Sequence, residues 1–383
     1  MRRIGLVATA TVTTALAIAV GADGASRYGP ALLLLAFIAF AVLVVSEVRR
    51  PCLRRRDVWI GTTLLLLVAV AVPPQSSKDL WSYASYGRSV STYHESPYTH
   101  TPRDHPQDPI NRRVSRGWIG VSSVYGPAFT AVSAIGTAAA GDSPLRVRLF
   151  FQGLAAAALL AALAVLHRRG APAGALAMVG LNPLAAASIV NNGHNDLLIG
   201  VAVLLAVLLA RERRGAVAGV AVGLACLIKV AAVVPLGALV VWLWRRDRVQ
   251  GMRAAAAGGG VIVGGYLLAG GVTALRPLQT ASRYVSGNSV WHLVRNARGT
   301  NTVLPGTLVW GAVALVIMAI AVGWRRRPDP VAVTIAAVLA YLLAAPYALP
   351  WYVGWVLPAV ALTWRSRLAW LATAYPAVAL IVY

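Results

Sequence analysis

Proton transfer needs a carboxylate, imidazole or phenol held where its pKa suits the task, and this chain offers few. Its 12 carboxylates sort by their neighbours. Glu47, Asp57, Glu212, Asp247 and Asp329 lie in arginine-rich stretches, where charge balance accounts for them, and Asp23 and Asp142 sit in short glycine-containing turns. Asp79, Glu95, Asp104, Asp108 and Asp196 remain. Asp79 follows an apolar run that stops at Val72-Pro73-Pro74 and stands at the root of the longest polar segment, residues 74–123. A low-dielectric environment on one side of such a carboxylate raises its pKa toward the range of a general base. Asp is equally a favoured N-cap, here for a helix from Leu80, and the two roles are compatible. On a helix, Asp79, Tyr83 and Tyr86 share a face, so an acid and two phenols stand together, flanked by Lys78 and Arg88. Aromatic rings beside an acid suit sugar faces, although Tyr and Trp also gather at membrane interfaces for purely structural reasons.

Asn191-Asn192-Gly193-His194-Asn195-Asp196 interrupts two apolar runs. One reading is a capped helix turn with Asp196 as N-cap of the next helix; the other is cavity lining, since a cap needs one such side chain and not five polar ones. Its His and Asp match no specific ligand spacing, so no metal is assigned and no cofactor is required, although a divalent cation stays compatible with the chemistry. Lys229 is set in Leu227-Ile228-Lys229-Val230. An ammonium there either snorkels to the interface or pairs with an anion, and phosphate is the obvious anion for an enzyme of lipid substrates. A second polar segment, 273–304, carries Arg283, Tyr284, Asn288, Trp291, His292, Arg295 and Arg298. Tyr125-Gly126-Pro127 opens one helix, and Pro346-Tyr347-Ala348-Leu349-Pro350-Trp351-Tyr352 breaks another.

The elements that position these residues are apolar. Of 383 residues, 58% are hydrophobic and 12% charged, against about 25% charged in a soluble domain. The chain is therefore expected to be an all-α polytopic membrane protein forming a single domain over residues 1–383. Candidate spans are 4–22, 30–46, 58–73, 124–140, 146–166, 172–190, 196–210, 215–229, 231–244, 254–272, 305–323, 331–347, 351–363 and 368–382. The first is read as a signal-anchor helix. The net charge of +23 does not signal nucleic acid. The arginines stand in short clusters between apolar runs, the pattern of cytoplasmic loops, with some attraction to anionic lipid headgroups. Placing every cluster inside puts 74–123, Asn191 to Asp196, Lys229, 273–304 and Pro346 to Tyr352 on the outer face of the membrane. That map requires 124–140 not to cross fully. The alternative makes 124–140 a span and fuses 215–244 into one helix, which strands Arg211 to Arg214 outside. Short surface helices are expected within 74–123. Cys52 and Cys226 sit in such different surroundings that no disulfide is expected.

The order Lys78-Asp79-Leu80-Trp81-Ser82-Tyr83 with Gly87-Arg88, then Ser96-Pro97-Tyr98, Tyr125-Gly126-Pro127, Gly193-His194-Asn195-Asp196, Lys229, and Pro350-Trp351-Tyr352 with Trp355 resembles the GT-C superfamily of polyprenyl-phosphate-sugar-dependent glycosyltransferases. It is most similar to the actinobacterial α-mannosyltransferases of lipomannan and phosphatidylinositol mannoside assembly. The resemblance covers about residues 58–360 and implies a bundle of about 12–14 transmembrane helices in the plasma membrane with an outer-face active site. It implies that Asp79 is the catalytic acid/base, that the donor is a lipid-linked monophosphosugar, of mannose by the same resemblance, and that the anomeric centre inverts. The acceptor is then a cell-envelope glycolipid or glycan. Substrate binding is expected from Lys78, Tyr83, Tyr86, Arg88, Tyr98, Tyr125, His194, Asn195, Asp196, Lys229, His292, Arg295, Trp351 and Tyr352. The rival expectation is a transporter or flippase of a lipid-linked sugar, which predicts an internal repeat and midplane sites; no such repeat is visible.

Overall fold

The computed structural model describes residues 2–21, 28–74, 76–281 and 328–382, together with 284–287, 289, 291–292, 296–297, 311 and 313. Nearly all of the expected span 305–323 lies outside these. Among the described residues every regular element is helical and no strand occurs. In chain order the helices are α1 (Arg2–Gly21), α2 (Gly29–Arg49), α3 (Arg55–Ala71), α4 (Asp79–Ser91), α5 (Pro127–Ala140), α6 (Pro144–Arg168), α7 (Ala173–Gly180), α8 (Asp196–Arg211), α9 (Gly215–Cys226), α10 (Val233–Arg246), α11 (Arg248–Leu268), α12 (Arg276–Ala281), α13 (Pro330–Ala344), α14 (Leu357–Val360) and α15 (Arg367–Val382). By length and composition α1, α2, α6 and the stretch Ala173–Val190 can each cross a bilayer. The protein is thus an all-α membrane protein.

Ala173–Val190 is fully buried and forms the axis of the bundle. It begins as α7, breaks at Asn182-Pro183, and resumes as a π-helical turn, Leu184–Val190. Pro183 has no N–H to continue the α-helical ladder, and Asn182 Oδ1 accepts from Leu184 N at 3.0 Å to cover the break. α3 and α6 pack on both halves of it. Expected spans 215–229 and 231–244 are two helices, α9 and α10, separated by a break that carries Lys229.

The arginine clusters meet at one end. Arg169 pairs with Glu212 at 2.5 Å, Arg211 with Asp329 at 2.7 Å and Arg213 with Asp247 at 2.6 Å, while Arg55 Nη2 donates to Gly170 O at 2.9 Å. α8 runs from this end to Asp196, a rise of about 24 Å for its 16 residues. The alternative map, which puts Gly170 and Arg211 to Arg214 on the opposite face from Arg55, Asp247 and Asp329, is excluded by these pairings. α5 does not contradict this arrangement, because it starts and finishes at the Asp196 end. Its first turn hydrogen-bonds to Leu227 O, and the Gly141–Asp142 turn that follows it binds Arg88 of α4. α4 and α5 lie side by side and parallel, with Tyr83 against Phe129 and Ser91 Oγ 3.1 Å from Thr137 Oγ1. The segment 124–140 leaves the bundle and returns to the same end.

Two expected spans differ from the structure. Residues 351–363 are not one helix: a 3-10 segment (Pro350–Trp355), α14 and a 3-10 turn (Ala361–Thr363) follow one another. Pro350, Gly354 and Pro358 deny the segment a continuous ladder, and burial against α8 and α15 makes that irregular backbone tolerable at membrane depth. Residues 254–272 end earlier, as α11, and the chain then bends by 101° into a 3-10 turn and α12. Between α4 and α5 the polar segment holds two single 3-10 turns, Pro102–Asp104 and Asn111–Arg113.

Candidate active site

Asp79 is fixed by what precedes it. Where α3 stops, Ala69 and Val72 keep carbonyls that no further helical turn can satisfy. Gln152 Nε2 donates to Ala69 O and Val72 O at 3.2 and 3.0 Å, and Asn191 Nδ2 donates to the same two oxygens at 3.1 Å each. Asn192 Oδ1 then accepts from Ser76 N and Ser77 N at 3.1 and 3.2 Å. The turn 191–192 thus clamps the end of α3 to the start of α4. Gly193 closes that turn at φ +66°, against the Phe151 backbone, a left-handed conformation that side chains resist.

Asp79 is the first residue of α4, and the N-cap position belongs to Lys78, whose side chain makes no cap. The capping role expected for Asp79 is not used, and its carboxylate turns instead to the cavity. Asp196 repeats the pattern. It is the first residue of α8, after Asn195, and its carboxylate also makes no cap. Asp196 Oδ1 accepts from Lys229 Nζ at 2.9 Å and from Trp355 Nε1 at 2.6 Å. Lys229 lies 4.1 Å from the centre of the Tyr352 ring, with Trp355 at 5.7 Å and Tyr125 at 6.0 Å. One carboxylate and three aromatic faces therefore hold the ammonium. His194 Nδ1 lies 3.6 Å from Asp79 Oδ2 and 3.3 Å from the Tyr83 hydroxyl, and its ring stacks on Trp351 at 4.3 Å.

The Asp79 side chain is 24% exposed, and that exposure is to a cavity of about 670 Å³. Burial is the main cause that lifts its pKa to about 6; the Lys229 charge and the Ser77 hydroxyl oppose the lift and Asp196 adds to it. Burial, and then the Lys229 charge, push His194 well below its ordinary value, so its ring is neutral near pH 7. Asp79 and Lys229 are the only charged residues among the described residues that line the cavity. Val230, Ala231, Val234, Leu278 and Ala281 give it an aliphatic wall, and Trp118, Tyr284 and Tyr347 an aromatic one.

Gly126 lets this assembly close. Gly126 N donates to Ile228 O at 2.9 Å, and a Cβ on it would stand 2.3 Å from Leu227 O. Gly126→Ala is expected to lower stability by about 1–3 kcal/mol and to displace Tyr125 from Lys229. The thermal midpoint in detergent and the transfer rate both fall if this holds.

The remaining acids have other work. Asp108 accepts from Arg88 Nε and the Tyr93 hydroxyl, each at 2.6 Å, and from Ile110 N at 2.7 Å; the tyrosine hydroxyl and the backbone amides and guanidinium hold its pKa below the usual carboxylate range despite burial. Asp104 completes a capping box with Thr101, and Glu95 meets His105 at 2.8 Å. Arg88 is thus placed between Asp108 and Asp142, away from the cavity. Tyr86 donates to Val121 O at 3.0 Å, Tyr98 contacts Thr130 at 3.2 Å, and exposed Lys78 lies outside the lining. His292 is 3.1 Å from Asn296 and does not line the cavity. Arg283, Asn288, Arg295 and Arg298 lie outside the described residues.

Asn195 is buried, and neither of its side-chain polar atoms has a partner among the described residues. The structure also brings in residues that the sequence does not single out. Gln152 is the lone amide in the run 146–166, which is the signal that could have found it. Trp355 appears only as part of a motif. Trp118, Tyr284 and Tyr347 carry no local signal that separates them from interfacial aromatics. Among the described residues no group of three His, Cys, Asp or Glu could hold a metal ion.

A family model described as alpha-(1->6)-mannopyranosyltransferase, N-terminal domain, matches residues 4–246. No curated protein and no solved structure matches the chain.

Proposed function

We propose, for a chain that belongs to the alpha-(1->6)-mannopyranosyltransferase family, that mannose moves from a polyprenyl-phosphate donor to a hydroxyl of a cell-envelope glycolipid or glycan, with inversion at the anomeric carbon. One observation carries the reading: among the described residues, a carboxylate whose pKa is about 6 and an ammonium are the charged groups of one otherwise apolar cavity. Asp79 takes the proton from the acceptor hydroxyl as its oxygen attacks C1. The bond from C1 to the phosphate oxygen breaks, and its electron pair leaves with the polyprenyl phosphate beside Lys229. A β-linked mannosyl phosphate then gives an α-mannoside, and the family name suggests the 6-hydroxyl as nucleophile. Phosphate leaves without needing a proton from a second acid, so one carboxylate suffices, as the base alone activates the nucleophile in inverting glycosidases.

The aliphatic wall running on from Lys229 through Val230, Ala231 and Val234 suits an isoprenoid tail attached to that phosphate. The arginine clusters, gathered at the far end of α8, suit the cytoplasmic side, which supports the reading of Asp79 on the outer face of the plasma membrane. Transfer of radiolabelled mannose from defined polyprenyl-phosphate mannose by the purified protein tests the proposal. A mannoside product is expected. Movement of the donor across a vesicle without any glycoside product overturns it in favour of a transporter.

A further inference from the structure

The cavity has two unlike walls, and the proposed reaction uses only the aliphatic one. The other is made by Trp118, Tyr284 and Tyr347. Trp118 meets Tyr284 at 5.5 Å and Tyr347 at 6.3 Å, both nearly edge to face, and the two tyrosines stand 6.4 Å apart. All three rings are partly exposed, and they reach the cavity from three separate segments.

Those segments are held in place independently of the rings. The turn carrying Trp118 closes through Val121 N to Trp118 O at 3.1 Å, and Tyr86 of α4 donates to Val121 O at 3.0 Å. The helix that starts at Asp79 therefore fixes the position of Trp118. Ser286 N donates to Pro346 O at 2.9 Å, Ser286 Oγ to Ala348 O at 2.8 Å, and Trp291 Nε1 to Ala344 O at 2.8 Å. These bonds stitch the Tyr284 segment to the Tyr347 segment. A membrane-interface belt anchors rings to lipid and needs no such cross-ties; rings fixed to one another around a cavity are preorganised to receive a ligand.

We propose that Trp118, Tyr284 and Tyr347 form the binding platform for a pyranose ring of the acceptor. The inference rests on the mannosyl-transfer reading and extends it to the second substrate. A pyranose presents a face of C–H groups that packs on an aromatic ring, while its hydroxyls stay in water at the rim. The donor is committed to the other wall by chain continuity: Lys229, Val230, Ala231 and Val234 form one segment, so a tail next to the phosphate lies along it. The aromatic wall is left for a ligand that is broad and polar-edged and must present a hydroxyl to Asp79.

The test measures both substrates separately. With octyl α-mannoside as acceptor, Trp118→Ala is expected to raise the acceptor KM by about tenfold, the usual consequence of truncating a central aromatic contact, with the donor KM within about twofold of native. Tyr347→Ala gives the same split and serves if the first variant does not fold. An unchanged acceptor KM, or an equal rise in donor KM, overturns the proposal. A second arm needs no turnover. Saturation-transfer NMR on donor-free Asp79→Asn protein is expected to show octyl α-mannoside bound through its sugar protons, and to lose that signal when Trp118→Ala is added. An equal sugar signal from octyl α-glucoside in both proteins means detergent partition only and also overturns the platform. If no mannosyl transfer is ever seen, the proposed function fails, and the NMR arm still decides the platform.

Discussion

Asp79→Asn is expected to lower turnover by about 10²–10⁴, the usual worth of a positioned general base, while the donor KM stays near native. Amide and carboxylate have nearly the same shape, so the clamp of Asn191, Asn192 and Gln152 around the start of α4 is undisturbed. Purified variant and native protein, compared across donor concentrations, separate the two effects. Native-like turnover in the variant ends the assignment. The pH profile is a second check. A base must be unprotonated to act, so kcat/KM is expected to rise through pH 6, where Asp79 titrates, and to level off above it. Stability runs the other way. The Asp79 carboxyl takes up its proton at about pH 6 in the folded protein but only near 3.8 as an isolated side chain. Between these values the folded state binds more protons, so stability falls as pH rises. Asn does not titrate. The variant should therefore show the higher thermal midpoint in detergent at pH 7.5, with the gap closing toward pH 4. A less active but more stable enzyme is the signature of a residue kept for chemistry and not for folding.

What the sequence makes legible here follows from how far each signal reaches. The all-α membrane class shows in the apolar runs, and the arrangement of the arginine ends follows from their spacing, which the ion pairs of Arg169, Arg211 and Arg213 bear out. The sorting of the acids also begins in sequence, because arginine neighbours are local. It cannot finish there. Asp79 and Asp196 look alike, each at the start of a helix after a polar break. Only the packing of Lys229 and Trp355 on Asp196 and the open cavity beside Asp79 tell them apart. Arg88 shows the opposite error. Its place two residues after Tyr86 and nine after Asp79 suggests a ligand contact, yet its partners, Asp108 and Asp142, are 20 and 54 positions further on, a separation no helical pattern encodes. The proline-broken stretch 350–363 reads as a span because hydropathy counts composition and ignores lost backbone hydrogen bonds.

Lys229 carries the other large effect. Among the described residues, the Lys229→Met variant leaves the Asp196 carboxylate, fully buried, with only the Trp355 indole as donor. Breaking one partner of a buried ion pair costs about 3–5 kcal/mol, so this variant is expected to be poorly stable, and its inactivity alone would say nothing about phosphate. The double variant Lys229→Met/Asp196→Asn separates the roles. The carboxamide keeps an oxygen for Trp355 Nε1 and no longer needs a cation, so most of the lost thermal stability should return. Donor binding should not. A hydrogen bond to a charged group is worth about 1.5–3 kcal/mol, so the donor KM of the double variant is expected to stay about 10–150-fold above native, with the acceptor KM little changed. Kinetics on the refolded-stable double variant decide between the two. Recovery of the donor KM together with stability would make Lys229 a structural counter-ion of Asp196. A persistent defect confined to the donor places its ammonium against the leaving phosphate, which leaves Asp79 to take the proton from the acceptor hydroxyl.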